Sequence, residues 1–336
     1  MRLESDSPSS NDVRPVLILC SCTSANAPAD DADTWRTAQE MGRALSQKYP
    51  VEYLSGDDPD VFAELNKLKK ESGVVVNMME RSRDVHWPAV LEKLGLAYSG
   101  CDAFTFMLST NKPWMKIFAE QSGMRIARGI TLGDSLPSDV PLTFPVIIKP
   151  SAEDASVGIR QENFCRSLPE LKSRLESIRA GHPGPWLIEE YIAGTDATVP
   201  LFAENGEAQI LPFLEIRFDK LPGGAIPILS YEAKWHEDNP IFGGHSEECP
   251  AKLPEESITK ILSDISKLVR LLNLTGYARI DFRLDETRQP WFLELNANPR
   301  LSEKDCYFVK AAMAEGIGYF EIMERIVSMG RHRNIK

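Results

Sequence analysis

No stretch of the chain approaches the roughly 20 consecutive apolar residues that a membrane-spanning helix requires. The opening "MRLESDSPSSND" has no apolar core of an export signal, so a cytoplasmic home is expected. A basic surplus is missing too: 38 Lys and Arg stand against 49 Asp and Glu, a net charge of -11. The basic residues are scattered rather than massed, which argues against nucleic acid or an anionic membrane as partner. Any anionic ligand must then be held by local cations. The six cysteines (Cys20, Cys22, Cys101, Cys165, Cys249, Cys306) form no CxxC pair, and several lie inside apolar segments, as reduced structural thiols do. There is no GxxxxGK[ST] stretch, which excludes a Walker loop. Internal repeats and low-complexity tracts are also lacking.

What is present suits an ordinary globular protein: 336 residues, 43% hydrophobic and 26% charged, enough for two or three domains. Residues 1–13 are rich in Ser and Asp, and a disordered tail is expected there. From 14 to about 110, "VLILCSC", "VEYLS" and "VVVNMM" read as strands alternating with amphipathic helices, a pattern that implies a parallel sheet. Function in such a sheet is expected at the strand ends "CSCTSANAPADDAD" and "NMMERSRD". A second unit, 111–188, starts with the helix "STNKPWMKIFAEQSG", capped near Ser109 or Thr110, and includes "FPVIIKPSAEDASVGI". A third, 189–336, opens with antiparallel strands turning at Gly194 and at Asn205-Gly206. It continues through the helix "PEESITKILSDISKLVRLLNL" and ends in the helical stretch "FVKAAMAEGIGYFEIMERIVSMG".

"YARIDFRLDETRQPWFLELN" reads as a hairpin. Residues two apart on a strand share a face, so the first strand presents Arg279 with Asp281 and the second Glu294 with Asn296. Two carboxylates and an amide oxygen, all hard ligands, would converge as Mg2+ requires. Strand spacing alone leaves open a surface-facing polar ladder. Lys149 ends an apolar strand and is followed by small residues around Ser156 and Gly158. Such a loop can set backbone N–H groups against phosphate oxygens, although an exposed turn reads equally from these residues alone.

"FPVIIKPSAEDASVGI", "WLIEEYIAGTDATV", "YEAKW", "GYARIDFRLD" and "FLELNANP", in this order and at these separations, resemble the ATP-grasp superfamily, most closely its D-alanine:D-alanine ligase branch. The resemblance implies a three-lobed fold of α/β and α+β type, with an N-terminal parallel α/β lobe and ATP held between the central and C-terminal lobes. It implies that Lys112 and Lys149 contact the ATP phosphates or nucleotide, with Ala155-Ser156-Val157 closing over the phosphates. Glu189, Glu190 and Ile192 would read adenine, largely through backbone groups, and Asp196 would hold the ribose hydroxyls. Lys234 would reach the terminal phosphate. Asp281, Glu294 and Asn296 would bind magnesium, two ions or manganese in its place, and Arg279 would stabilise the tetrahedral intermediate. The cofactors implied are thus ATP and Mg2+, the partners a small carboxylate, an amine and a second copy of the chain.

The substrate positions depart from the family. Ala155 stands where a serine belongs, Trp235 follows Lys234 where a tyrosine is common, and Arg300 replaces a glycine, with Lys304, Asp305 and Cys306 near a serine position. Trp235, Arg300 and Asp305 are therefore the expected substrate-facing residues; Arg300 could hold a carboxylate or pair with Glu303. The expectation is an ADP-forming carboxylate-amine ligase acting through an acyl phosphate on amino-acid-like substrates of specialised metabolism. Competing readings are a divergent D-alanine:D-alanine ligase, a nucleotide-binding protein without ligase activity, and a phosphorylating or cyclising enzyme acting on one substrate.

Overall fold

The computed structural model describes residues 14–21, 29–79, 84–133, 140–153, 156–179 and 184–333. The expected tail 1–13, Cys22, Ala155 and half of the two strand-end stretches fall outside them.

Strand β1 (Val16–Cys20) leads to helix α1 (Ala29–Leu45), then β2 (Val51–Ser55), α2 (Val61–Lys70), β3 (Val74–Asn77), α3 (Trp87–Leu94) and β4 (Ala97–Tyr98). The four strands pair in parallel in the order β2-β1-β3-β4, as the strand and helix alternation requires. β1 and β3 are buried throughout, the mark of a sheet covered on both faces.

Two helices follow, α4 (Ala103–Ser109) and α5 (Lys112–Gln121). The cap of α5 is Asn111, whose side chain accepts from Trp114 N at 3.1 Å, one or two residues beyond the expected position. β5 (Arg125–Ile126) comes next, and then β6 (Gly129–Leu132), β7 (Val146–Pro150), β8 (Phe164–Cys165), α6 (Leu168–Arg179) and β9 (Trp186–Glu190). The central sheet is antiparallel, in the order β6-β9-β7-β8.

The remaining elements are β10 (Gly194–Glu204), β11 (Glu207–Ile210), β12 (Leu214–Arg217), α7 (Tyr231–Trp235), β13 (Ser246–Glu248), α8 (Glu255–Leu272), β14 (Gly276–Asp285), β15 (Pro290–Asn296), α9 (Tyr307–Ala314) and α10 (Tyr319–Arg331). The large sheet runs β13-β12-β10-β14-β15-β5, with β11 on β10. Asn205 and Gly206 both have positive φ, 54° and 77°, which gives the expected tight hairpin between β10 and β11. Gly194 is not a hairpin turn. It is where the chain crosses from the central sheet into the large one, at φ 144°, and a Cβ there would sit 1.8 Å from Leu284 O.

Two segments pack differently from the expected division. α5 and β5 lie on the large sheet, where β5 pairs with β15 and Met115 and Ala119 join the core beneath α8, although a boundary at 111 assigns them to the central lobe. The helical stretch at the end breaks at Gly316 into α9 and α10, and α10 returns to the first lobe. Ile322, Ile326 and Val327 share a core with Val16, Val74 and Val76. Gly330 permits that approach, since a Cβ would come within 3.0 Å of Tyr98 O.

Candidate functional site

The central sheet and the large sheet face each other across a cavity, and strand alternation determines what enters it. On β14, Arg279, Asp281 and Arg283 share one face. Register places Thr198 of β10 opposite Asp281 and Asp196 opposite Arg283. On the other flank, Glu294 is opposite Asp281 and Asn296 opposite Arg279. The ladder slips between Asp281 and Phe282, where Phe292 is the next partner and Leu293 is passed over. Such a bulge re-aims side chains, and Leu293 and Glu294, adjacent in sequence, both line the cavity.

One end of the cavity is polar. Lys112, Lys149, Lys234 and Arg279 converge there with Asp281 and Glu294. Lys112, at the start of α5, donates to Glu153 O and stands 3.5 Å from Glu294. Arg279 donates to both oxygens of Asp281, at 2.9 and 2.8 Å, and Thr198 donates to Asp281 Oδ1 at 2.6 Å. Arg279 also sits 5.7 Å from the Tyr307 ring centroid. Burial lowers the Lys234 pKa and Arg279 adds to the effect, with Glu294 and Asp281 opposing it. Burial works the other way on Glu294, but Lys112, Arg279, Lys234 and Lys149 together keep its carboxyl below the usual range. Burial alone would push the charge off Arg279, yet Asp281 and Glu294 hold its pKa above the ordinary value.

Asp281, Glu294 and Asn296 offer only oxygens, the donor set that a hard divalent cation such as Mg2+ takes. The third donor is an amide, and among the described residues no three His, Cys, Asp or Glu side chains form a metal cluster. The residues fit such an ion, with phosphate oxygens and water to complete its shell.

Beneath the polar end lies an ion triad in which Glu189 and Lys116 are buried and Lys149 reaches the cavity. Glu189 on β9 is 1% exposed and stands 2.7 Å from Lys116 and 3.0 Å from Lys149. Burial would raise its pKa, but the two ammonium groups hold it at about 2. Lys116, on α5, is desolvated strongly enough that its own pKa falls despite the carboxylate. The Glu189 side chain is thus a brace for Lys149, and Glu190 turns toward Thr143 N at 2.8 Å.

The other end is apolar, lined by Ala127 and Ile147 from one lobe and Ile216, Leu293 and Ile228 from the other. Ile192, Asp196 and Arg283 close it. The 226–229 loop over the cavity is fastened to the segment that carries Ser156 and Gln161. Ser156 donates to Leu229 O at 2.7 Å, and Gln161 exchanges hydrogen bonds with Ile226 N and O at 2.7 and 3.2 Å.

The substrate-facing candidates are elsewhere. Trp235, at the end of α7, does not line the cavity, and Asp305 is exposed. Arg300 pairs with neither a free space nor Glu303: its guanidinium binds Asp33 of α1 at 2.9 Å, while Ser302 donates to Glu40 at 3.0 Å. Sequence reasoning missed Lys116, Thr198, Arg283 and Tyr307. Lys116 is one helical turn beyond Lys112, and Arg283 continues the alternation of Arg279 and Asp281, so both signals were in the spacing.

Comparison with known proteins adds an independent line. Residues 137–328 match the family described as "D-ala D-ala ligase C-terminus". An uncharacterised protein, y4sG, of Sinorhizobium fredii is 32% identical over 277 residues, covering 81% of this chain and 79% of its own. A D-alanine--D-alanine ligase of Bordetella petrii is 32% identical over 241 residues, 71% and 69% of the two chains. The crystal structure of D-alanine--D-alanine ligase from Bacillus anthracis superposes with a TM-score of 0.75 at 23% identity, covering 94% of this chain and 97% of that one. VanG D-Ala:D-Ser ligase from Enterococcus faecalis gives 0.69 at 14%, over 94% and 99%. These two likenesses show a shared fold.

Proposed function

Because the chain belongs to the D-alanine:D-alanine ligase family, and so is an ADP-forming ATP-dependent ligase of the ATP-grasp fold, we propose that it joins a small carboxylate to an amine other than the D-alanine pair. The observation that carries this reading is the convergence of Lys112, Lys149, Lys234 and Arg279 on the Asp281–Glu294 carboxylates. Four cations beside a hard-oxygen donor set suit a triphosphate with its magnesium, and positioning with electrostatic stabilisation supplies most of the catalysis of phosphoryl transfer.

The positions support a role for each residue. Lys149, braced by Glu189, and Lys112 hold phosphate oxygens, with Ser156 on the loop above them. The apolar end takes the base against the backbone of Glu190 and Ile192, and Asp196 takes the sugar. Asp281, Glu294 and Asn296 would hold the magnesium, which when bound neutralises phosphate charge. Lys234 binds the transferring phosphoryl group as the substrate carboxylate attacks it, giving ADP and an acyl phosphate. Arg279 then stabilises the oxyanion formed when the amine displaces phosphate.

Two observations favour altered substrates. The Arg300 fork is spent on Asp33, so it fixes the 297–306 segment to α1 and does not offer a bare carboxylate site. Tyr307, against Arg279, narrows the space next to the reacting centre. A role in specialised metabolism, in the cytoplasm and as a homodimer through the first and last lobes, completes the reading. The names of relatives such as the Bordetella petrii enzyme favour a second reading, a divergent D-alanine:D-alanine ligase.

The test is a coupled ADP-release assay with Mg-ATP over pairwise mixtures of D- and L-amino acids, dipeptides and small carboxylic acids. Release that needs both a carboxylate and an amine supports ligation. D-alanine alone giving full release establishes the second reading, and release without any amine establishes a kinase or ATPase. ATP binding with no release from any mixture refutes the ligase assignment.

A further inference from the structure

At the apolar end, Arg283 is 4% exposed and makes four hydrogen bonds with its five N–H groups. Nη1 donates to Asp196 Oδ1 at 2.7 Å, Nε to Ile192 O at 2.9 Å, and Nη2 to Tyr191 Oη at 2.9 Å and to Pro227 O at 2.7 Å. Two aromatic rings lie against it, with the Tyr191 and Phe218 centroids 5.4 and 5.2 Å from the guanidinium carbon. These contacts fix the guanidinium by four hydrogen bonds and two rings. What it holds in turn is Asp196, whose second oxygen, Oδ2, accepts no hydrogen bond from the described residues. An unpaired carboxylate near a polyanion would be repelled and would turn freely about χ2. Paired through one oxygen to a fixed fork, it is neutralised and aimed, with the other oxygen left to accept.

We propose that Arg283 is a positioning residue for the nucleotide sugar: it orients Asp196 so that Oδ2 receives a ribose hydroxyl, and so makes the site discriminate ribonucleotides from sugars lacking hydroxyls. The proposal rests on the reading of this cavity as a nucleotide site. It goes further by assigning the sugar preference to a residue that touches no part of the sugar. Through Pro227 O the same guanidinium ties this grip to the loop that Gln161 fastens to the phosphate side.

Calorimetry on the full chain with Mg2+ compares binding of ATP and 2′,3′-dideoxy-ATP, so that no acceptor substrate is needed. The wild-type protein should prefer ATP by about tenfold, the worth of one hydrogen bond to a charged acceptor. Asp196→Asn should bring the ratio toward unity. Arg283→Met should do the same, with ATP affinity falling by more than dideoxy-ATP affinity, and that difference separates aim from general damage. Arg283→Lys keeps the charge and loses the fork, so its ratio should fall between the two, and it decides the matter if the methionine variant does not fold.

A wild-type ratio in either Arg283 variant, beside a lost ratio in Asp196→Asn, overturns the proposal alone. Equal loss of both nucleotides in Arg283→Met overturns it in favour of a purely structural role. A wild-type ratio in Asp196→Asn, or no preference in the wild-type protein, overturns the sugar reading of Asp196 and the proposal with it.

Discussion

Replacing Glu189 by Gln keeps the shape of the side chain and removes the charge that two lysines share. At pH 7 the carboxyl is held at about 2 against an ordinary 4.5. Linkage at 1.36 kcal/mol per tenfold converts that depression into about 3 kcal/mol of stability. The sign is set by the direction: a depressed carboxyl stabilises above the unfolded value, so the contribution is whole above about pH 5 and fades as pH falls toward 2. Breaking a buried pair by removing one partner gives a similar figure, about 3–5 kcal/mol. In the variant, Lys116 at 2.7 Å and Lys149 at 3.0 Å lose their common partner. Lys116 keeps a hydrogen bond to Phe292 O at 3.3 Å but no counter-charge, which favours release of its proton, and burial already lowers its pKa. The unfolded chain then binds more protons than the folded one, so the variant should regain stability relative to wild type as pH rises from 7 to 9.5. Urea unfolding of both proteins at pH 5, 7 and 9.5 reads the difference. A loss under about 1 kcal/mol at pH 7, or a deficit that does not shrink at pH 9.5, would refute the picture of this ion triad.

Arg279→Ala should slow steady-state ADP release in the complete ligation by a hundredfold or more, about 3 kcal/mol, as loss of an oxyanion donor does. Thr198→Val removes the 2.6 Å hydrogen bond that orients Asp281, and a Mg2+ titration of ADP release should show the apparent metal affinity about tenfold weaker. Gly194→Ala places a methyl 1.8 Å from Leu284 O, so thermal unfolding should report a loss of more than about 2 kcal/mol.

Much of this site was readable because strand periodicity is rigid. "RIDFR" and "FLELN" put Arg279, Asp281, Glu294 and Asn296 on one face before any coordinates, and the register bears that out. Local pattern fails where a residue's partner is remote. Arg300 meets Asp33 across 267 residues, and no spacing rule connects them. The spacing from Lys112 puts Lys116 on the same helix face, but its partner is a buried carboxylate on a strand of another sheet, which no local pattern identifies. The fate of α5 was hidden for the same reason: its amphipathic face says that it packs, not on which sheet.

The return of α10 to the first lobe has a consequence for synthesis. Val76 and Ile326 belong to one core although 250 residues separate them. Domains ordinarily fold as units during translation, N-terminal first. Here the first lobe would emerge from the ribosome with one face of its sheet covered only in part, by α1, and the cover can be completed only after the central and large sheets have been made. The lobe that begins the chain is therefore among the last to be finished.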